Sequence, residues 1–108
     1  MVYDTHIDKW FEDRGIVANG NATTQALKTL EEVHELLVAL NADNEHEVMD
    51  AIGDTYVTLR GVCLTYGVTM QNCVSQAYHE IKDRTGYLNK EGFFIKELQC
   101  FLSTKRWV

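Results

Sequence analysis

Two acidic runs stand close together in the chain: EEVHE at Glu31–Glu35 and EVMDAIGD at Glu47–Asp54. On a helix, Glu31, Glu32 and Glu35 fall within an arc of roughly 100°, on the polar side away from Leu30, Val33 and Leu37. Gln25 and Lys28 share the stripe of Glu32 and Glu35, at three-four-three spacing. Glu47, Asp50 and Asp54 fall within roughly 60° of one another. If the two helices are antiparallel neighbours, the stripes can face each other. Carboxylates held that close repel, and some must protonate unless a cation joins them. Oxygen-only ligands favour a hard ion, Mg²⁺ or Mn²⁺. Mg²⁺ keeps positions for water and phosphate oxygens, which suits phosphate-ester chemistry. Spacing alone admits a plainer reading with equal weight, that of two solvated helix faces rich in good helix formers. Glu47 also has a capping role three residues after Asn44, and Glu31 reads equally as surface.

The elements that must position these residues are helical. Ile7, Trp10 and Phe11 predict a short amphipathic helix over about 3–14, ended by Gly15. Trp10 is expected in the core. VANGNATT at 17–24 reads as a loop leading into a helix cap. A second helix is expected over about 25–40, with Leu27, Leu30, Val33, Leu37 and Leu40 as its apolar stripe. A short turn at 41–44 leads to a third helix over about 45–66, with Val48, Ile52, Thr55, Leu59 and Val62 facing one way and Gly67 as C-cap. Thr69 then caps a fourth helix, in which Met70, Cys73, Val74, Ala77, Tyr78 and Ile81 keep helical spacing up to Gly86. GYLNKEGFFIKE predicts a turn or small hairpin, and 97–104 a last amphipathic piece. The expected fold is all-α, a four-helix bundle of antiparallel neighbours with a short irregular or hairpin C-terminal extension.

Composition narrows the classes further. The 108 residues fit one domain, 1–108, and 45% hydrophobic with 24% charged residues is an ordinary globular mix. A net charge of −6 argues against a protein that coats nucleic acid, though not against a nucleotide held through metal ions. No apolar run is long enough to span a bilayer, and MVYDTHIDKW lacks the apolar core of a signal peptide. A cytoplasmic protein with no membrane partner is the expectation. Cys63, Cys73 and Cys100 show no metal-type spacing and read as reduced, mostly buried thiols. No proline interrupts any helix.

At the acidic runs the chain resembles the MazG-like superfamily of all-helical nucleotide pyrophosphohydrolases. The family pattern is EExxE, a spacer, then ExxD on the next helix. EEVHE matches the first half, and DAIGD at Asp50–Asp54 aligns with an EELGD-like segment. Ala51 stands where the second motif has Glu. Asp50, one turn before Asp54, can supply that oxygen, and Glu47-x-x-Asp50 fits ExxD by itself. QALKTLEEVHEL resembles the approach to the motif, and YHEIKDRTGYLNKEGFFIKE is similar to the ending of phage-type members. His79 and Thr85 depart from it.

The resemblance implies Mg²⁺-dependent hydrolysis of a (d)NTP to the monophosphate and pyrophosphate. It implies Glu32, Glu35, Asp50 and Asp54 as metal ligands, with Glu31 or Glu35 orienting the attacking water or taking its proton. Lys82 and Arg84 are candidate phosphate clamps, with a plain helix-end charge as the equal alternative. Gln25, Lys28 and Trp10 are candidates for the base or sugar pocket. It also implies a homodimer or homotetramer. A phosphoribosyl-ATP pyrophosphohydrolase is close in chemistry, but no distinct signal for it is visible. The competing classes are a di-metal carboxylate bundle, for which Glu31-x-x-His34 supplies one half-site, and a non-catalytic helical module. His34 is expected to be a partly buried structural residue.

Overall fold

The computed structural model describes residues 1–97, in two compact units that divide after Met70. The first unit holds α1 (Asp4–Asp13), α2 (Ile16–Asn19), α3 (Ala22–Asn41) and α4 (Glu45–Tyr66). The second holds α5 (Met70–Ile81) and two short strands, β1 (Gly86–Leu88) and β2 (Phe94–Lys96). Of the expected last piece, residues 98–104 lie outside the described residues.

Local chemistry accounts for the boundaries. Gly15, at φ 74°, turns the chain out of α1 into the single turn of α2. A loop was expected from Val17 onward, and the single turn of α2 fits because the Asn19-Gly20 turn signal falls at its end, where Gly20 caps it. The Asn21 side chain accepts the Thr24 N–H at 2.8 Å and starts α3 at Ala22, three residues before the predicted start. Asn44 accepts the Glu47 N–H at 3.2 Å and starts α4. The Asn44 N–H is itself given to the Ala39 carbonyl at 3.1 Å, so it does not depend on the Glu47 carboxylate. Gly67, at φ 93°, closes α4 as expected. The last helix ends at Ile81 and not at Gly86, which instead opens β1. The predicted hairpin forms, with Gly86 opposite Lys96 and Leu88 opposite Phe94.

In the first unit α3 and α4 run antiparallel. Gln25 lies against Gly61, Thr29 against Thr58, and Glu32 interacts with Asp54. The Thr58 hydroxyl donates to the Thr55 carbonyl and accepts from Thr29, both at 2.9 Å. Small residues let the helices approach: a Cβ on Gly61 would stand 2.6 Å from Gln25 Oε1 and 2.8 Å from the Phe11 ring.

Helix α1 runs parallel to α4, fixed by two contacts one turn apart. The Tyr56 hydroxyl donates to Asp4 at 2.8 Å, and Arg60 grips Asp8 with two hydrogen bonds of 2.8 and 2.6 Å. Burial pushes the Asp4 carboxyl up. The Tyr56 hydroxyl, the N-terminal ammonium and Arg60 outweigh that and hold it below its usual value. Phe11, not Trp10, is the core aromatic of α1: Phe11 is buried and Trp10 is 45% exposed.

The face that α3 turns toward α4 is not the predicted leucine stripe. Gln25, Thr29, Glu32 and Leu36 are half-buried and Ala39 is buried, whereas Leu27, Leu30, Val33, Leu37 and Leu40 are exposed. On α4, Ala51, Gly61 and Cys63 are buried, while Ile52 and Leu59 of the predicted stripe are exposed. The physical reason is volume. Threonines, alanines and a glycine allow close helix approach, and the branched residues are left on the other side. In the second unit Val74 and Tyr78 of α5 are also exposed, as is Cys73, which was expected to be buried.

Candidate active site

The acidic stripes meet because the close α3–α4 face includes them. Glu32 and Asp54 are half-buried at this seam, and Glu35 and Asp50 stand at its exposed margin. Burial raises the Glu32 carboxyl above its ordinary value, and so do the charge and hydrogen bond of Glu35 and the charge of Asp54. Lys28 opposes them. Asp54 is raised by burial first, then by the charge of Asp50, by Glu35 and by a hydrogen bond with Asp50. The seam thus disfavours the charged form of Glu32 and of Asp54, each through burial and neighbouring carboxylates.

The donor set fits a hard divalent cation in its chemistry. All four groups offer oxygen, and Glu32 Oε2 is buried with no hydrogen-bond partner. The oxygens do not yet converge as ligands: among the described residues, no three His, Cys, Asp or Glu side chains are grouped so as to hold one metal ion. Both outer members, Glu35 and Asp50, are exposed and have room to turn.

The other candidates lie in several places. Lys28 forms an ion pair with Glu31 at 2.7 Å, and Glu31 raises the lysine by hydrogen bond and charge. Gln25 faces Gly61, within the helix crossing. Lys28, Glu31, His34 and Glu35 line an open groove of about 650 Å³ along α3. His34 is therefore exposed and is not the half-buried structural residue expected from its position at the apolar edge. Ala51 is buried, so a longer carboxylate at that position would enter the helix seam. Asp50, one residue earlier, is exposed and acts on Asp54 by charge and hydrogen bond. Lys82 and Arg84 belong to the second unit, in the turn that follows α5. Their N–H groups donate to Tyr78 and Ile81, each at 2.9 Å, and Arg84 Nη1 is buried without a partner.

Sequence reasoning named Trp10 for a base or sugar pocket but not the cleft that it lines. A cleft of about 790 Å³ opens between α1 and α4, walled by Tyr3, His6 and Trp10 on one side and by Ile52, Gly53 and Tyr56 on the other. Asp50 and Asp54 form part of the same lining. The available signal was complementary spacing: Asp4 and Asp8 on one helix, and Tyr56 and Arg60 on the other, are each one turn apart.

An antiparallel helix pair that brings acidic residues of both helices to one seam agrees with the all-α, MazG-like superfamily that the sequence resembles. The family model described as phosphoribosyl-ATP pyrophosphohydrolase matches residues 13–80, and the chain belongs to that family. It is accordingly a pyrophosphohydrolase, a hydrolase of phosphoric anhydrides. No curated protein and no solved structure matches the chain. No described helix is long and apolar enough to cross a membrane.

Proposed function

We propose that the protein is a Mg²⁺-dependent pyrophosphohydrolase that converts a (d)NTP to the monophosphate and pyrophosphate by attack of water at the α-phosphorus. The observation that carries the reading is the carboxyl set Glu32, Glu35, Asp50 and Asp54 gathered at the α3–α4 seam, with its unpartnered Glu32 oxygen. Such a set is costly unless a cation joins it. Glu32 and Asp54, the least exposed pair, are the inner ligands, and Glu35 and Asp50 complete the set. Mn²⁺ would serve in place of Mg²⁺. When bound, the ion neutralises triphosphate charge and acts as a Lewis acid.

The chain's own groups do the rest. Glu31 or Glu35, both on the exposed side of α3, orients the attacking water or takes its proton. Lys28 is held beside these carboxylates and balances charge at the phosphates. Lys82 and Arg84 are further phosphate-binding candidates, and Gln25 is one for the sugar or base.

The protein is further expected to act as a homodimer or homotetramer in the cytoplasm. The exposed leucine stripe of α3 supports this, since a second copy would cover what the chain leaves bare.

The test is a screen of the eight common NTPs and dNTPs with Mg²⁺, reading pyrophosphate against orthophosphate. Pyrophosphate with the monophosphate is expected. Orthophosphate as the direct product would contradict attack at the α-phosphorus. The family match favours one further substrate, phosphoribosyl-ATP, which belongs in the same screen. Turnover of that compound alone would move the substrate assignment and leave the bond broken unchanged.

A further inference from the structure

We infer that α1 is a lid beside the acidic seam and that Arg60 is its catch, a positioning residue that acts through Asp8 and Asp4. The inference deepens the proposed function and rests on it for what the lid covers. Three observations carry it.

The first is register. Asp4 with Tyr56 and Asp8 with Arg60 are both 52 residues apart, so α1 lies along α4 without a shift. That register brings the first turn of α1 level with Asp54. Tyr3 and Asp54 accordingly share the lining of the cleft between the helices, with Asp50 and Gly53 beside them.

The second is the way α1 is held. Phe11, the buried residue of the helix, packs by Gly61, close to the turn at Gly15. Toward the seam the helices part around the cleft of about 790 Å³. The bonds that join them there are polar. The Tyr56 hydroxyl donates to Asp4, and the Arg60 guanidinium forks onto Asp8 and stands 3.4 Å from Asp4. One end of α1 is thus fixed by apolar burial beside a turn, and the other by a hydroxyl and a guanidinium.

The third is charge. Asp4 and Asp8 face a helix that already carries Asp50 and Asp54 along the same cleft. Like charges on two sides of a cleft repel. Arg60 is the one lysine or arginine of α4, and it is half-buried. A pair in that setting is screened less than a surface pair. Without Arg60, Asp8 loses the cation that bonds it, and repulsion favours undocking.

Docked, α1 shields its side of the seam from bulk water, which strengthens electrostatic interactions at Asp54. A triphosphate held only in the docked state binds more weakly in proportion to the fraction of chains that are open. Loss of the catch therefore acts on KM, and the bound, docked form keeps its kcat.

The test is hydrogen exchange of the full chain without metal, beside steady-state kinetics on the triphosphate that the wild type turns over. A ten-residue helix freed from its partner does not persist in water, so undocking is read as exchange of the α1 amides. Arg60→Ala is expected to speed that exchange at least about tenfold, with α3 and α4 changed less than about twofold. It should raise KM about fivefold to tenfold and change kcat less than about twofold. Asp8→Asn is the milder variant and should move both readouts the same way. Combined with Arg60→Ala it should add almost nothing, since both break one contact. Arg60→Lys keeps the charge without the fork and should fall between wild type and Arg60→Ala.

Unchanged α1 exchange in Arg60→Ala overturns the inference. So does faster exchange with KM unchanged, which leaves a staple that stabilises the fold and no lid. If Arg60→Ala fails to fold, or exchange rises equally in α3 and α4, Asp8→Asn decides: α1 exchange and KM must rise together there, and a rise in neither overturns the inference. A wild type that turns over no triphosphate removes the proposed function, while α1 exchange still decides whether Arg60 holds the helix.

Discussion

At the scale of single residues, Glu32 concentrates the consequences of the site. It is half-buried, feels the charges of Glu35 and Asp54, and one of its oxygens has no partner. Glu32→Gln keeps shape and removes charge. Pyrophosphate release is expected to fall more than about 100-fold, beyond what outer-shell changes around a metal cost, while circular dichroism stays helical. Full activity in that variant would sink the assignment.

The same carboxyls predict a pH dependence with a definite sign. Glu32 and Asp54 titrate above their ordinary values of 4.5 and 3.8 in the folded chain, through burial and neighbouring carboxylates. Between the unfolded and folded values the native state binds more protons. The contribution of these groups to stability is therefore fully present below the ordinary carboxylate values, and it is lost as pH rises through the raised ones. Metal-free Glu32→Gln should accordingly be more stable than the wild type at neutral pH and lose that advantage near pH 4. Urea midpoints at the two pH values measure this. Added Mg²⁺ should raise the wild-type midpoint and leave the variant's little changed.

At the scale of elements, α1 is held on α4 by a polar staple as well as by Phe11. The Arg60 side chain is only 14% exposed, and it faces Asp8 and Asp4 at 2.6 and 3.4 Å. Arg60→Ala is expected to cost about 1–3 kcal/mol, as for hydrogen bonds to charged groups. Thermal denaturation reads the loss, and a wild-type melting temperature would show that the staple contributes nothing. In α4, Gly53→Ala places a methyl group in open space and removes a weak helix former. A gain of about 0.5–1 kcal/mol is expected, seen as a higher urea midpoint. A loss would mean that the glycine meets something outside the chain's own packing.

At the scale of the whole molecule, 45% of the residues are hydrophobic, yet only Phe11, Ala39, Ala51 and Cys63 are buried apolar residues among those described. Leu30 and Leu37 are 66% and 62% exposed on one face of α3. Apolar surface of this kind is stabilised by covering it, at about 25 cal/mol per Å². The double substitution Leu30→Glu, Leu37→Glu is expected to shift sedimentation from an oligomer to a monomer and to lower thermal stability. A wild type that sediments as a monomer at all concentrations would remove the oligomer proposal.

The sequence by itself determined what is local. Helical spacing, the caps at Asn44 and Gly67, and the Gly86–Lys96 hairpin follow from near neighbours, and the α4 limits agree with those predicted. The acidic stripes were legible too, because four carboxylates at turn spacing are a property of one helix at a time. Which face of α3 turns inward was not legible. Leu27, Leu30 and Leu37 form the more apolar stripe, but hydrophobicity alone does not say whether the cover is this chain or another. The choice went to the face with Thr29, Ala39 and, opposite, Gly61, because small residues permit the closest helix approach. That choice placed Glu32 against Asp54 and left the leucines bare. The cleft beside Trp10 likewise depends on contacts 52 residues apart, Asp4 with Tyr56 and Asp8 with Arg60, so only the tertiary structure could decide it.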